Sequence, residues 1–75
     1  MIYKTLFNLS NLSNGEICRR LEIGHTARIQ YERATKFNIN QYVDFGKKLG
    51  LADAQLTGLV VERIKELLKN YNDGR

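Results

Sequence analysis

The stretch EICRRLEIGHTARIQYE, Glu16 to Glu32, constrains this chain more than any other. It has the pattern of two short helices joined by a tight turn. Ile17 and Leu21, four residues apart, share one face of the first helix with Cys18 beside them. Gly24 supplies the turn, because glycine enters backbone conformations closed to other residues. The second helix starts at His25 or Thr26 and runs to about Ala34. Nowhere does the chain show sustained period-two alternation with β-branched enrichment, and it contains no proline, so the pattern predicts an all-α fold.

The flanking residues extend that plan. Asn8, Ser10, Asn11, Ser13, Asn14 and Gly15 form a polar cluster whose short side chains compete for backbone hydrogen bonds, which separates a short first helix, Tyr3 to Leu9, from the rest. Ser13 or Asn14 caps the next helix, which runs to about Glu22, with Glu16 placed as the acid of a capping box. Asn38 or Asn40 caps a fourth helix that reaches Leu49 and stops at Gly50. Asp53 starts a fifth, Ala54 to about Asn70. The expectation is one domain over residues 1–75, a small four- or five-helix unit with a helix-turn-helix.

A chain of 75 residues has a small core and gains from a partner subunit. On the last helix, residues 54–70 and just beyond, Leu56, Val60, Ile64, Leu67 and Tyr71 recur at helical spacing, with Leu59 and Leu68 adjoining. That apolar width exceeds what one side of a small domain needs. One arrangement packs the whole stripe on the first four helices; the width favours another, in which Leu56, Leu59, Val60, Ile64, Leu67 and Tyr71 are shared between packing and a homodimer interface.

Composition removes whole classes of function. A single cysteine, Cys18, excludes an internal disulfide, and with one histidine, His25, the chain has too few soft ligands for a transition-metal centre. Asp44 and Asp53 stand alone and suit surface charge or capping, so neither an enzyme nor a cofactor is expected. No apolar run approaches the ~20 residues of a membrane span, and Lys4 precedes no long apolar region, so a cytoplasmic location without membrane or signal segment is expected. The net charge is +4, unevenly spread: residues 1–36 carry six basic groups against three acidic, residues 37–75 six against five. A basic bias on one structural unit is the footprint of a polyanion binder.

The third helix gives that footprint a shape. At 100° per residue Ala27, Tyr31 and Ala34 share a narrow face, leaving His25, Thr26, Ile29, Arg33 and Lys36 opposite, with Gln30 at the edge. Such a face suits solvent, but an outward Ile29 among polar residues also suits a major groove. There an apolar side chain meets thymine methyl, Gln pairs with adenine and Arg with guanine. Arg19, Arg20, Arg28 and Lys36 are available for phosphates, and Ser13 or Asn14 would set the start of the second helix against the backbone of double-stranded DNA.

LSNGEICRRLEIGHTARIQYE, Leu12 to Glu32, resembles the helix-turn-helix of the phage Cro and lambda-repressor-like regulators, with Tyr31-Glu32 in place of that family's aromatic-Glu pair. INQYVDFGKKLGL, Ile39 to Leu51, resembles the following helix, with Gly46 close to a usual small residue. Three departures stand out: Glu22 where glycine is common at the turn, Arg28 where a buried aliphatic residue is usual, and a short first helix. By position the resemblance implies base contacts from His25, Thr26, Ile29, Gln30 and Arg33, and a repressor or regulator of a phage, plasmid or toxin-antitoxin operon. LFNLS, RRLEIG and NINQYVDFGKKLGLADAQLTGLVVERI also resemble the C-terminal helical end of HipA-type toxin kinases. That resemblance implies a non-catalytic module that binds a protein partner.

Overall fold

Five helices occupy the described residues of the computed structural model, 2–36 and 38–73: α1 (Ile2–Ser10), α2 (Asn14–Leu21), α3 (His25–Arg33), α4 (Ile39–Lys48) and α5 (Asp53–Asp73). No strand occurs among the described residues, and the all-α class holds. Observed ends lie within one residue of the expected ones except at the last helix, which continues to Asp73 rather than Asn70.

Side chains start the helices. Ser13 Oγ accepts from the Glu16 amide at 3.2 Å and Asn38 Oδ1 from the Gln41 amide at 3.1 Å, satisfying donors that a helix start leaves open. The expected capping box forms only by half, because the Glu16 carboxylate turns instead to Arg19 and Arg20.

One hydrogen-bond motif ends both α2 and α4. At Gly50, φ +87°, the Gly50 amide donates to Lys47 O and the Leu51 amide to Gly46 O, each at 3.0 Å. After α2 the same pair runs from Glu22 to Arg19 O at 3.3 Å and from Ile23 to Cys18 O at 3.0 Å. The left-handed residue there is Glu22, at φ 56°, ψ 45°. Gly24, expected to make the turn, has φ −82° and caps α3 in extended backbone. A side chain thus sits where a glycine would cost less, since left-handed backbone crowds a Cβ against the following carbonyl.

The core is aromatic and joins α1, α3 and α4. Tyr3 lies 5.4 Å from Tyr31, 5.6 Å from Tyr42 and 5.8 Å from Phe45 between ring centroids, and Tyr31 meets Phe45 edge-on at 5.0 Å. The Gln41 amide ties two of these rings together: Tyr3 Oη donates to Gln41 Oε1 at 2.9 Å, and Gln41 Nε2 donates to Tyr31 Oη at 3.1 Å. Burial pushes the Tyr3 phenol above its ordinary pKa, so the hydroxyl keeps the proton it donates. Ile2, Leu6, Phe7, Ile17, Leu21, Leu49, Leu51 and Leu56 complete the buried cluster.

α5 packs chiefly on α4. Gly46 makes the close approach possible: a Cβ there would overlap Leu56 Cδ2 and stand 3.1 Å from Leu56 Cγ. Leu56 is therefore a core residue, 4% exposed, which corrects its expected place in a dimer interface: only an edge of it lines the groove between α4 and α5. Leu59 and Val60 are half-buried, Leu59 packing against the core, whereas Ile64, Leu67 and Tyr71 are exposed. At about 1.5 Å per residue the 21 residues of α5 extend roughly 31 Å, beyond what α4 can cover.

Candidate nucleic-acid interface

Tyr31 sets the rotation of α3. Its ring is held by Tyr3 and Phe45 and its hydroxyl by Gln41, and Ala27 and Ala34 flank it on the half-buried side. With that side fixed, His25, Thr26, Ile29, Gln30 and Arg33 are all exposed on the other, and Lys36 is exposed three residues past the helix. Ile29, 39% exposed, is the one large apolar side chain among them.

His25 is further constrained at the elbow between the helices, where its Nδ1 stands 3.6 Å from Cys18 Sγ. Cys18 is buried and free, a small apolar packing residue as its position in α2 suggests.

The flanking cations divide into two groups. Arg19 and Arg20 are exposed on α2 and both engage Glu16, Arg19 Nε at 3.0 Å and Arg20 Nε at 2.9 Å. Those hydrogen bonds hold the Glu16 carboxyl down to about 2, with Arg19 contributing most. Two guanidiniums share one carboxylate, so this corner keeps net positive charge. Ser13 and Asn14 are exposed at the start of α2.

Arg28 behaves differently, and its expected phosphate contact is corrected. Its side chain is 10% exposed, and Nη1 donates to Glu32 Oε1 at 3.0 Å within α3. The guanidinium Nε is buried without a partner. Arg28 lies about 100° from Ala27 around the helix, on the border of the packed side. Its long stem lies in the body while Glu32, half-buried, meets its charge. A buried arginine thus fills the position where the resemblance implies a buried aliphatic residue.

Lys47 and Lys48 are paired within the chain, Lys47 Nζ to Asp53 Oδ1 at 2.6 Å and Lys48 Nζ to Asp44 Oδ2 at 3.1 Å. Both aspartates thus serve as surface ion pairs; the Lys47 hydrogen bond lowers the Asp53 pKa. Among the described residues no group of three or more His, Cys, Asp or Glu side chains is placed to hold a metal ion, and no helix is long and apolar enough to cross a membrane.

The fold and this face define a small all-α domain in which one short helix, locked by an aromatic core, presents five exposed side chains of mixed polarity. No protein-family model, curated protein or solved structure matches the chain.

Proposed function

We propose that the protein is a sequence-specific DNA-binding transcriptional regulator that reads the major groove with α3. The observation that carries this is the exposed set His25, Thr26, Ile29, Gln30 and Arg33 on a helix whose opposite side is anchored by Tyr31. A nine-residue helix is short enough to enter the groove along its length, and its side chains combine an apolar methyl contact with amide and guanidinium donors. Arg19, Arg20 and Lys36, with Ser13 and Asn14, border the face and are suited to the phosphate backbone. No reaction and no cofactor enter this reading. A non-catalytic module that binds another protein, the second reading, is favoured only by the exposed apolar end of α5.

Selection of duplexes from a random pool tests the proposal, because the operator sequence need not be known beforehand. Repeated selection should converge on a short motif. Gln30→Ala and Arg33→Ala should each weaken binding to that motif by roughly 1–3 kcal/mol and leave random duplex binding nearly unchanged. Lys36→Ala should weaken both alike. Log affinity should fall linearly with log salt, by about 0.9 per phosphate neutralised. A pool that never converges, or stable Gln30 and Arg33 variants that bind the selected motif like the parent, would overturn the groove-reading role.

A further inference from the structure

Thr57, Val60, Val61, Ile64, Leu67, Leu68 and Tyr71 form one uncharged seam along α5, with the three- and four-residue spacing of a helix-pairing face. Ile64 is 45% exposed, Leu68 57% and Tyr71 61%, so the C-terminal half of this seam lies open to water. Its N-terminal half faces a groove of about 330 Å³ between α4 and α5. Ile39 and Val43 line the α4 side, Leu56, Val60 and Val61 the α5 side, with Lys47 and Asp53 at the end where their ion pair bridges the two helices. One molecule therefore carries both an unfilled apolar groove and an uncovered apolar helix end.

We infer that a second copy of this chain fills that groove, the two α5 helices pairing antiparallel about a two-fold axis at Ile64. The spacing of the seam supplies the argument, since it is symmetric about that residue: Thr57 and Tyr71 stand seven away on either side, Val60 and Leu68 four, Val61 and Leu67 three. Antiparallel pairing sets Leu67 and Leu68 of each copy against Val60 and Val61 of the other, beside Ile39 and Val43 of α4. A parallel pair would stack the two uncovered ends on each other and leave both grooves open. A two-fold interface needs a surface complementary to itself, and groove plus helix end meet that need. The exposed area of Ile39, Val43, Val61, Ile64, Leu67, Leu68 and Tyr71 is on the order of 600 Å² per copy, close to the ~800 Å² that each side of a standard interface contributes. This surface lies on α4 and α5, apart from the exposed side of α3, and its test requires no DNA.

Sedimentation equilibrium of the full chain should give a dimer at micromolar concentration. Leu68→Glu should raise the dissociation constant roughly a hundredfold, since each substitution counts twice across a two-fold axis. Its helical circular dichroism should match the parent, because Leu68 is exposed in the single chain. Orientation is read by oxidative cross-linking in a Cys18→Ala background. Mixed Thr57→Cys and Tyr71→Cys chains should cross-link to each other, and neither should cross-link to itself. A monomer at 100 μM, a Leu68→Glu variant that stays dimeric, or self-linked Thr57→Cys chains would each overturn the inference. A cross-linked antiparallel dimer that selects no DNA motif would retain it while removing the regulator proposal.

Discussion

Gly46→Ala probes the contact that holds α5 to the body. The added methyl would overlap Leu56 Cδ2 and stand 3.1 Å from Leu56 Cγ and Cδ1, against the ~3.5–4.0 Å at which carbon atoms rest in contact. Leu56 is 4% exposed and one edge of it lines the groove between α4 and α5, so it can relieve the overlap only by turning toward that groove and giving up core contacts. Overpacking of this kind costs about 1–3 kcal/mol, and the better helix propensity of alanine returns at most ~1 kcal/mol. The expected net loss is about 1–2 kcal/mol, or roughly 4–16 °C in melting temperature for a domain of this size. Leu56→Ala alone should cost more, about 2–5 kcal/mol, because it leaves a cavity. In the double variant the methyl at position 46 lies in the space Leu56 vacated. The two losses should then fall short of additive by about 1–2 kcal/mol. Urea unfolding followed by circular dichroism, at one fixed protomer concentration, measures all four species. Additivity within ~0.5 kcal/mol, or a Gly46→Ala chain as stable as the parent, would refute the packing argument.

Glu22→Gly should stabilise the fold by about 0.5–1 kcal/mol in the same assay, because it relieves left-handed backbone at the end of α2, less the entropy glycine adds to the unfolded chain. Glu32→Ala should be more damaging than Arg28→Met: the first leaves a guanidinium buried without its partner, whereas the second replaces an apolar stem by another. A reversed order in melting temperature would contradict the buried pair. The Glu16 carboxyl is lowered from 4.5 to about 2, so its contribution to stability is fully present above pH 4.5 and is lost as pH falls toward 2. Glu16→Gln should flatten that part of the stability profile, and a profile unchanged by the substitution would show that the Arg19 and Arg20 hydrogen bonds do not persist in solution.

The side of α3 that faces water was legible from spacing, because two alanines and a tyrosine at three- and four-residue intervals leave only one way for a short helix to pack. Arg28 was not. Nothing in residue type distinguishes an arginine reaching for phosphate from one whose stem lies in the core, and the partner that decides it, Glu32, is equally at home on a surface. The turn misled for a related reason: two residues apart, Glu22 and Gly24 compete for the left-handed position, and composition favours the glycine. The hydrogen bonds from Glu22 and Ile23 back to Arg19 and Cys18 settle it the other way. In α5 the apolar residues were visible as a stripe, but which of them meet α4 depends on the approach at Gly46, a tertiary contact.

The Gln41 bridge bears on how accurately α3 can present anything to a ligand. Side-chain tips on a helix lie about 5–6 Å from its axis, so a 10° roll of α3 would carry each tip along an arc of about 1 Å. Hydrogen bonds tolerate errors of about 0.5 Å before they weaken. An angular tolerance near 5° is demanding for nine residues with extended backbone at both ends. Tyr3, Gln41 and Tyr31 act as an angular stop: the amide accepts from one ring and donates to the other, so a roll away stretches the bond to Tyr31 and a roll toward it compresses the contact. Gln41→Leu would keep the volume and lose the stop, so the outer residues of α3 would be spread over a wider range of angles.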